Sequence, residues 1–337
     1  MPGTDISYSD LKELLLLLCR YPFREEDKDT IERLVGEVRD WRWLVELINA
    51  HGIIALAAYN IKEAGLESRI PSDAMTILDN GWKQSLIRNT WQLSQWKKVG
   101  AILSGAGIKH LLLKGMALEH TIYGSKGLRQ MSDTDILVRK EDVMKSWLIL
   151  QEHGFEPDTI KSPLHRKIKT HIGKHMPTLR KDGYAVEIHH RLFSEAVRNE
   201  KLDEAIENAV EINIEGTKAF TLPDDIHLDY LKKHYDYHNL TDDFQLRLFV
   251  DLWLLNPDAA PHLTEEMITK KGGKSSGQQR EIYREHFFSI PPRYRIRYLA
   301  GDTFPSVEWM KRRHGCGALK ALIYYPRRMG KLLWLFK

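Results

Sequence analysis

Two aspartates, Asp133 and Asp135, lie two residues apart in the segment RQMSDTDILV. The second half of this segment alternates between polar and apolar residues and is rich in strand-forming residues. We therefore expect a β-strand that presents both carboxylates on one face. Neighbouring carboxylates repel each other unless a cation compensates their charge. Mg²⁺ is commonly held by one or two carboxylates together with substrate phosphates. The pattern therefore predicts a magnesium site, with two ions expected and Mn²⁺ as the alternative.

A third carboxylate, Glu187, lies in the segment AVEIHH. Acidic residues are disfavoured inside strands, and the apolar neighbours Val186 and Ile188 would face the opposite side. We expect Glu187 to join the aspartates, either as a metal ligand or as the base for an acceptor hydroxyl. His189 shares the face of Glu187 and is predicted to orient it or to contact a phosphate. A packed or solvent-facing histidine is the alternative.

Phosphate-binding residues are predicted upstream of the aspartates, at Lys114, Gly115, Arg129 and Ser132. A glycine lets backbone N–H groups approach a phosphate closely, and Lys114 would supply a point charge. Arg129 would clamp the triphosphate through charge-assisted hydrogen bonds. The alternatives are a tight turn at the end of a strand for Lys114-Gly115, and a salt bridge from Arg129 to one of the two aspartates.

Helices are predicted for the N-terminal part of the chain. Apolar residues recur at spacings of three and four from about residue 8 to residue 100. One long helix is expected from about Ser72 to Ala106, ended by Gly107.

The pattern then changes to alternating short strands and helices. KHLLLKG predicts a strand, MALEHTIYG a short helix, RQMSDTDILV a second strand, and residues 140–153 another helix. This alternation favours a mixed α/β core.

A β-hairpin is predicted in HMPTLRKDGYAVEIHHRL, with its turn at Asp182-Gly183. Residues from about 198 to 260 are predicted to be mostly helical. The Gly/Ser/Lys-rich stretch that begins at Lys270 is predicted to be a loop or linker.

Composition and length exclude several classes of protein. Hydrophobic residues make up 42% and charged residues 28% of the 337 residues, which is typical of a soluble globular protein. Two cysteines are too few for a disulfide framework or a cysteine zinc site. A zinc site at His171 and His175 would need a helix, which Gly173 between them weakens. The apolar run Leu14 to Leu18 is too short to span a bilayer and follows acidic residues. We therefore expect no transmembrane segment and a cytoplasmic location.

The C-terminal residues 311–337 carry eight lysines and arginines and no acidic residue. Such a segment can bind an anionic partner, either nucleic acid or a membrane surface. The alternative, which we favour, is a helix pair with a solvated basic face.

The stretch LLLKGMALEHTIYGSKGLRQMSDTDILVRKEDV resembles the signature of the uncharacterised nucleotidyltransferase family, within the DNA polymerase beta-like superfamily. The resemblance covers roughly residues 40 to 260. In place of the superfamily's Gly-Ser pair, this chain has Lys114-Gly115 with no serine directly after it. The matching elements are Leu113-Lys114-Gly115, Tyr123, Arg129, Asp133-Thr134-Asp135, Ile136-Leu137, Val186-Glu187-Ile188-His189, and Arg247 with Asp251.

The resemblance implies an α+β fold with a small mixed sheet flanked by helices. It also implies Mg²⁺ and transfer of a nucleoside monophosphate from an NTP such as ATP. By position, Asp133 and Asp135 would be metal ligands and Glu187 the third carboxylate. The expected domains are a helical region (1–106), a catalytic core (107–195) and a second helical region with the basic tail (196–337).

The acceptor stays open, since a small molecule, a protein or an RNA would each fit the sequence. Two other functions are kept as alternatives: a catalytically degenerate nucleotide-binding or regulatory protein, and a nucleic-acid or membrane-surface module led by the basic C-terminus. Asp251, which lies within an apolar helix, is expected to pair with Arg247 four residues before it.

Overall fold

A computed structural model describes residues 6–193, 202–240, 244–269, 276–326 and 328 of the chain. The strands are β1 (His110–Leu113), β2 (Thr134–Val138), β3 (Glu156–Pro157), β4 (Leu179–Lys181), β5 (Tyr184–His189), β6 (Val210–Ile214) and β7 (Thr217–Thr221). The α-helices are α1 (Tyr8–Leu18), α2 (Lys28–Glu37), α3 (Trp41–Ala50), α4 (Ile54–Glu63), α5 (Ser72–Gly105), α6 (Lys114–Thr121), α7 (Val143–Glu152), α8 (Pro163–Ile172), α9 (Leu202–Glu207), α10 (Asp224–Leu240), α11 (Leu246–Leu255), α12 (Glu265–Thr269), α13 (Ser276–Ser289), α14 (Pro292–Thr303), α15 (Val307–His314) and α16 (Ala318–Leu322). None of these described helices combines the length and the apolar character needed to cross a membrane.

The strands form a seven-stranded sheet in the order β3-β4-β5-β2-β1-β7-β6. β4 and β5 pair antiparallel, with Lys181 opposite Tyr184, so that Asp182 and Gly183 form a two-residue turn. Both turn residues have positive φ, 50° and 84°, which is the conformation that a tight hairpin turn requires. The predicted hairpin and the predicted mixed α+β fold are both confirmed.

The elements expected before the hairpin are also present. α5 ends at Gly105, one residue before the predicted end, because Gly107 takes a positive φ of 72° that closes the helix. β1 leads directly into α6, as the strand and short helix predicted from the sequence. β2 begins at Thr134, so Asp133 lies one residue before the strand rather than inside it.

The mostly helical prediction for residues 198–260 is wrong for β6 and β7, which are neighbouring strands joined at Glu215-Gly216. These two residues have positive φ values of 47° and 77°, and the Asn213 side chain accepts a hydrogen bond from the Gly216 N–H at 2.8 Å. The alternation in the β6 sequence VEINI is the signal that was overlooked. Residues 194–201 lie outside the described residues.

The linker predicted from Lys270 is wrong from Ser276 onward, where α13 begins, and residues 270–275 lie outside the described residues. The end of α15 and all of α16 lie in the basic C-terminal segment, of which residues 327 and 329–337 lie outside the described residues. The prediction of an anionic partner for residues 311–337 therefore stays a prediction.

The chain divides into two compact units, each built from three segments. Unit 1 contains the described residues of Met1–Lys97, Leu113–Thr134 and Glu211–Gly273. Its apolar core is built from α1 to α4, the start of α5, and residues of α6, α10 and α11. The packing of α1 on α4 uses leucines at helical spacing, among them Leu11, Leu14 and Leu18, which are at most 1% exposed.

Unit 2 contains the described residues of Lys98–Leu112, Asp135–Val210 and Lys274–Lys337. α7 packs on β4 and β5, and the Trp147 indole donates a hydrogen bond to the Pro177 carbonyl at 3.0 Å. α8 packs on α14 through Ile168 and Ile172. The predicted division at residues 106 and 195 stays a prediction.

Candidate functional site

A buried cluster in unit 2 joins Asp135 of β2 to Glu187 and His189 of β5. One donor atom from each of the three side chains lies within 4.8 Å of the others. The His189 Nε2 lies 2.7 Å from Asp135 Oδ1 and 3.4 Å from Glu187 Oε2. β2 and β5 are neighbours in the sheet, and residues 187 and 189 share a face because side chains alternate along a strand.

The cluster is largely shielded from solvent, because the side chains of His189, Asp135 and Glu187 are 0%, 6% and 18% exposed. A carboxylate can only accept, so His189 Nε2 carries the proton and donates to Asp135. His189 Nδ1 is buried and has no hydrogen-bond partner in the described part of the chain. With a proton on Nε2, the His189 imidazole can hold Asp135 in place. Without that proton, Nε2 can instead bind a metal.

Glu187 has further polar neighbours on its own side of the sheet. The Thr178 hydroxyl donates to Glu187 Oε1 at 2.8 Å, and His175 Nε2 lies 3.6 Å from Glu187 Oε2. Burial raises the pKa of Glu187, but the hydrogen bond from His189, together with the neighbouring His175, outweighs it and lowers that pKa below its usual value. Burial, followed by the charge of His189, lowers the pKa of His175. Glu187 is therefore held as a carboxylate.

The donor set fits a divalent cation. Asp135 is buried and Glu187 is half-buried, and a cation would compensate the repulsion between the two carboxylates. Carboxylate oxygens are the ligands that Mg²⁺ prefers. An imidazole nitrogen beside them also suits Mn²⁺ and other transition metals. Asp135 and Glu187 would hold the ion through their carboxylate oxygens. His189 would be either a third ligand, through its imidazole nitrogen, or the group that orients Asp135.

Asp133 is half-buried in a bend directly before β2, in the described residues of unit 1. The neighbouring Ser132 is exposed, and its hydroxyl donates to Asp133 Oδ1 at 3.2 Å. The metal-binding role predicted for Asp133 and the phosphate-binding role predicted for Ser132 stay predictions.

The segment that leads into β2 is held by amide side chains of α5. Gln92 donates to the Ser132 carbonyl at 3.0 Å and accepts from the Thr134 hydroxyl at 3.3 Å. Asn89 donates to the Arg129 carbonyl at 3.0 Å. Sequence analysis missed both amides, which are buried with Ser85 on α5, and buried amides need hydrogen-bond partners of this kind.

Glu119 of α6 holds the same segment from another direction. Its carboxylate accepts hydrogen bonds from the backbone N–H groups of Gly127 and Arg129. Burial raises its pKa from the usual 4.5 to about 7, although those hydrogen bonds act in the opposite direction. Glu119 is 1% exposed, so its ionisation is coupled to folding.

A pH dependence of stability follows from Glu119. The pKa of Glu119 is raised in the folded state. The stability that Glu119 contributes is therefore fully present below pH 4.5 and is lost as the pH rises through about 7. Over this window we expect the free energy of unfolding of the wild type to fall by about 3 kcal/mol relative to Glu119→Gln. Urea unfolding at pH 4.5, 5.5, 6.5 and 7.5 would measure it. The control is Glu67→Gln, at an exposed position. The free energy of unfolding of this variant should change with pH as that of the wild type does.

Arg129 makes a buried ion pair with Asp251 of α11. Its Nε and Nη2 lie 2.9 Å and 2.7 Å from the two carboxylate oxygens, and the two side chains are 6% and 1% exposed. The Tyr123 hydroxyl donates to the same carboxylate at 2.7 Å. The guanidinium fork binds Asp251, and the phosphate-clamp role predicted for Arg129 stays a prediction.

The predicted pairing of Asp251 with Arg247 is wrong. Arg247 donates to the Gln130 carbonyl and to Gln245 Oε1, the latter at 2.7 Å. Arg129 reaches Asp251 with two parallel N–H groups, which is the geometry that a carboxylate binds most strongly. Asp251 therefore pairs with Arg129, which is distant in the sequence, and not with Arg247 in its own helix.

Gly115 packs directly against Arg129. A Cβ at Gly115 would lie 2.6 Å from the Arg129 Nη1 atom, so no larger residue fits beside the guanidinium. Lys114 has a positive φ of 45° at the junction of β1 and α6. The glycine is thus explained by packing, and the phosphate contacts predicted for Lys114 and Gly115 stay predictions.

Comparison with known proteins places the chain in one family. No curated protein matches this sequence. A family model described as "Uncharacterised nucleotidyltransferase" matches residues 37–271, which is more than two thirds of the chain and includes the Asp135, Glu187 and His189 cluster. The chain therefore belongs to the uncharacterised nucleotidyltransferase family.

Proposed function

We propose that this protein is a metal-dependent nucleotidyltransferase that transfers a nucleoside monophosphate from an NTP to an acceptor. The acceptor oxygen forms a bond to the α-phosphorus while the bond from the α-phosphorus to the bridging oxygen of the β-phosphate breaks. Pyrophosphate leaves, and the proton of the acceptor hydroxyl is released to water. Such transfers depend mainly on positioning and on charge neutralisation, which a small set of fixed side chains can supply.

One observation carries this proposal: Asp135, Glu187 and His189 offer their donor atoms within 4.8 Å of one another in a buried cluster. They do so in a chain of a nucleotidyltransferase family. Two neighbouring carboxylates that are largely shielded from water cost free energy unless a cation is bound, because like charges repel strongly away from water. That cost favours a functional site over a structural one.

The carboxylates of Asp133, Asp135 and Glu187 would hold the metal, with two Mg²⁺ ions expected and Mn²⁺ as the alternative. When bound, the metal supplies the positive charge that neutralises the triphosphate and the departing pyrophosphate. His189 orients Asp135 through its 2.7 Å hydrogen bond, and Thr178 orients Glu187 at 2.8 Å. Burial of the cluster excludes water, which strengthens its electrostatic interactions.

The nucleotide phosphates would lie against Lys114, Gly115, Arg129 and Ser132. Ser132 is exposed next to Asp133, and Lys114 begins α6, where backbone N–H groups favour anions. Arg129 is already paired with Asp251, so its larger contribution would be to hold the segment that carries Ser132 and Asp133.

A second candidate is a nucleotide-binding or regulatory protein that has lost catalysis. It is favoured by the contacts of Gly115 and Arg129, which are accounted for by packing and by Asp251 without any nucleotide. This protein would bind an NTP and release no pyrophosphate.

An α-labelled NTP distinguishes the two candidates. The full chain would be incubated with Mg²⁺ or Mn²⁺ and with separate fractions of small molecules, RNA and protein from a cell extract. We expect the label to appear in one fraction with an equal amount of pyrophosphate. Saturable NTP binding with no label transfer to any fraction would support the second candidate. Release of inorganic phosphate in place of pyrophosphate would contradict nucleotidyl transfer.

A further inference from the structure

A cavity of about 390 Å³ lies in unit 2 beside the carboxylate cluster. It lies between α8, α14 and the segments on either side of α8, and its lining is rich in lysine and histidine. The lining residues that matter here are Lys161, His165, Lys169, His175, Thr178 and His286. Cavities of this volume bind small molecules, whereas an RNA or a protein binds over a wider surface.

The charges that line the cavity are largely compensated, with one exception. Lys161 forms an ion pair with Asp302, and Asp158 is paired with Arg180 at 2.8 Å. The Lys169 ammonium makes no hydrogen bond and no ion pair with any residue that the structure describes. Burial lowers its pKa, with the more distant Glu187 carboxylate acting in the opposite direction, as expected for an ammonium that has no close anionic partner.

Neutral hydrogen-bonding groups line the cavity around this ammonium. Burial lowers the pKa of both His165 and His286, so both imidazoles are neutral near pH 7. His165 Nε2 lies 3.0 Å from the Tyr298 carbonyl and donates to it, which leaves its Nδ1 as an acceptor. A ligand with both a negative group and hydroxyl groups matches this lining.

The cavity is continuous with the carboxylate cluster through two residues. His175 and Thr178 line the cavity, and they also contact Glu187, at 3.6 Å and 2.8 Å. The side chains of His175 and Thr178 therefore lie between a molecule in the cavity and Glu187. An acceptor needs this position if its hydroxyl is to meet a nucleotide held at the cluster.

We propose that this cavity is the acceptor site, and that the acceptor is a small molecule whose phosphate or carboxylate group pairs with the Lys169 ammonium. The inference rests on the proposed nucleotidyl transfer and adds the chemical class of the acceptor to it. The anionic group fixes one end of the molecule at Lys169, and a hydroxyl at the other end is directed toward Glu187.

Anion binding tests the cavity independently of turnover. Inorganic phosphate and acetate would each be titrated calorimetrically into the full chain, in the presence of EDTA so that no metal contributes. We expect saturable binding of one of them, and the tighter of the two identifies the anionic group. Lys169→Met should weaken this binding at least about tenfold, since it removes a charged hydrogen bond, while Lys169→Arg should retain it.

Two further variants separate this inference from the proposed function. Lys140→Met, at an exposed position of the same unit, should leave phosphate or acetate binding unchanged. Asp135→Asn should keep anion binding but lose metal-dependent NTP binding. The inference is overturned if neither anion binds, or if binding is the same in Lys169→Met and wild type. Anion binding that depends on Lys169, in a chain that binds no NTP, would overturn the proposed function alone.

Discussion

Replacing Asp135 with asparagine is expected to lower the rate of nucleotidyl transfer by at least about 10³-fold, because several kcal/mol of charge stabilisation are lost with the metal ligand. The change should not unfold the protein. Asparagine has the shape of aspartate, and its carbonyl oxygen can still accept the 2.7 Å hydrogen bond from His189. It also removes one of two like charges, since Asp135 and Glu187 repel each other.

Three measurements make this prediction specific. Asp203→Asn is the matched control, because this aspartate lies in the same unit with a side chain 84% exposed, and its variant should transfer label at the wild-type rate. Mg²⁺ or Mn²⁺ should raise the thermal midpoint of the wild type and not that of Asp135→Asn, as linkage requires of a ligand that binds the folded state. Turnover of Asp135→Asn within a factor of ten of wild type would rule out Asp135 as a metal ligand.

Breaking the Arg129–Asp251 pair is expected to give the largest loss of stability. Asp251→Asn should lower the free energy of unfolding by about 3–5 kcal/mol, because it leaves a buried guanidinium without its counter-charge. The two side chains are 6% and 1% exposed, so water cannot replace the lost partner. Tyr123 also loses a charged acceptor for its 2.7 Å hydrogen bond. Urea unfolding of the full chain measures the effect.

A conservative replacement and an exposed pair serve as controls. Arg129→Lys keeps the charge but loses the two parallel N–H groups, so we expect an intermediate loss. Asp229→Asn removes the exposed ion pair with Lys233 in the same unit and should change stability by less than about 0.5 kcal/mol. If Asp251→Asn matched the exposed control, the pair would not be a main support of the segment before β2.

Local patterns in the sequence predict the parts of this fold that depend on neighbouring residues. Asp182-Gly183 is a turn signal because glycine tolerates positive φ, and the hairpin is present with Lys181 opposite Tyr184. Alternation along β5 likewise predicts that Glu187 and His189 share a face. The β6–β7 hairpin was missed because Glu215-Gly216 is a weaker turn signal than Asp-Gly within a charged segment.

Contacts between distant residues were not predictable in the same way. Arg129 and Asp251 are 122 positions apart in the chain, and Gln92 and Thr134 are 42 apart. Nothing in the local spacing of either pair distinguishes it from other charged or amide residues. His175 illustrates the same limit, since it pairs with Glu187 across the hairpin rather than with His171, the histidine four residues before it.

Binding of an NTP to a metal held by Asp135 and Glu187, with Asp133 as a further expected ligand, can be measured by calorimetric titration. Each of the four NTPs would be titrated with Mg²⁺ into the wild type and into the Asp133→Asn/Asp135→Asn double variant. We predict metal-dependent binding of at least one NTP to the wild type and its loss in the folded double variant. Equal binding by both proteins, or no binding of any NTP to the folded wild type, would contradict it.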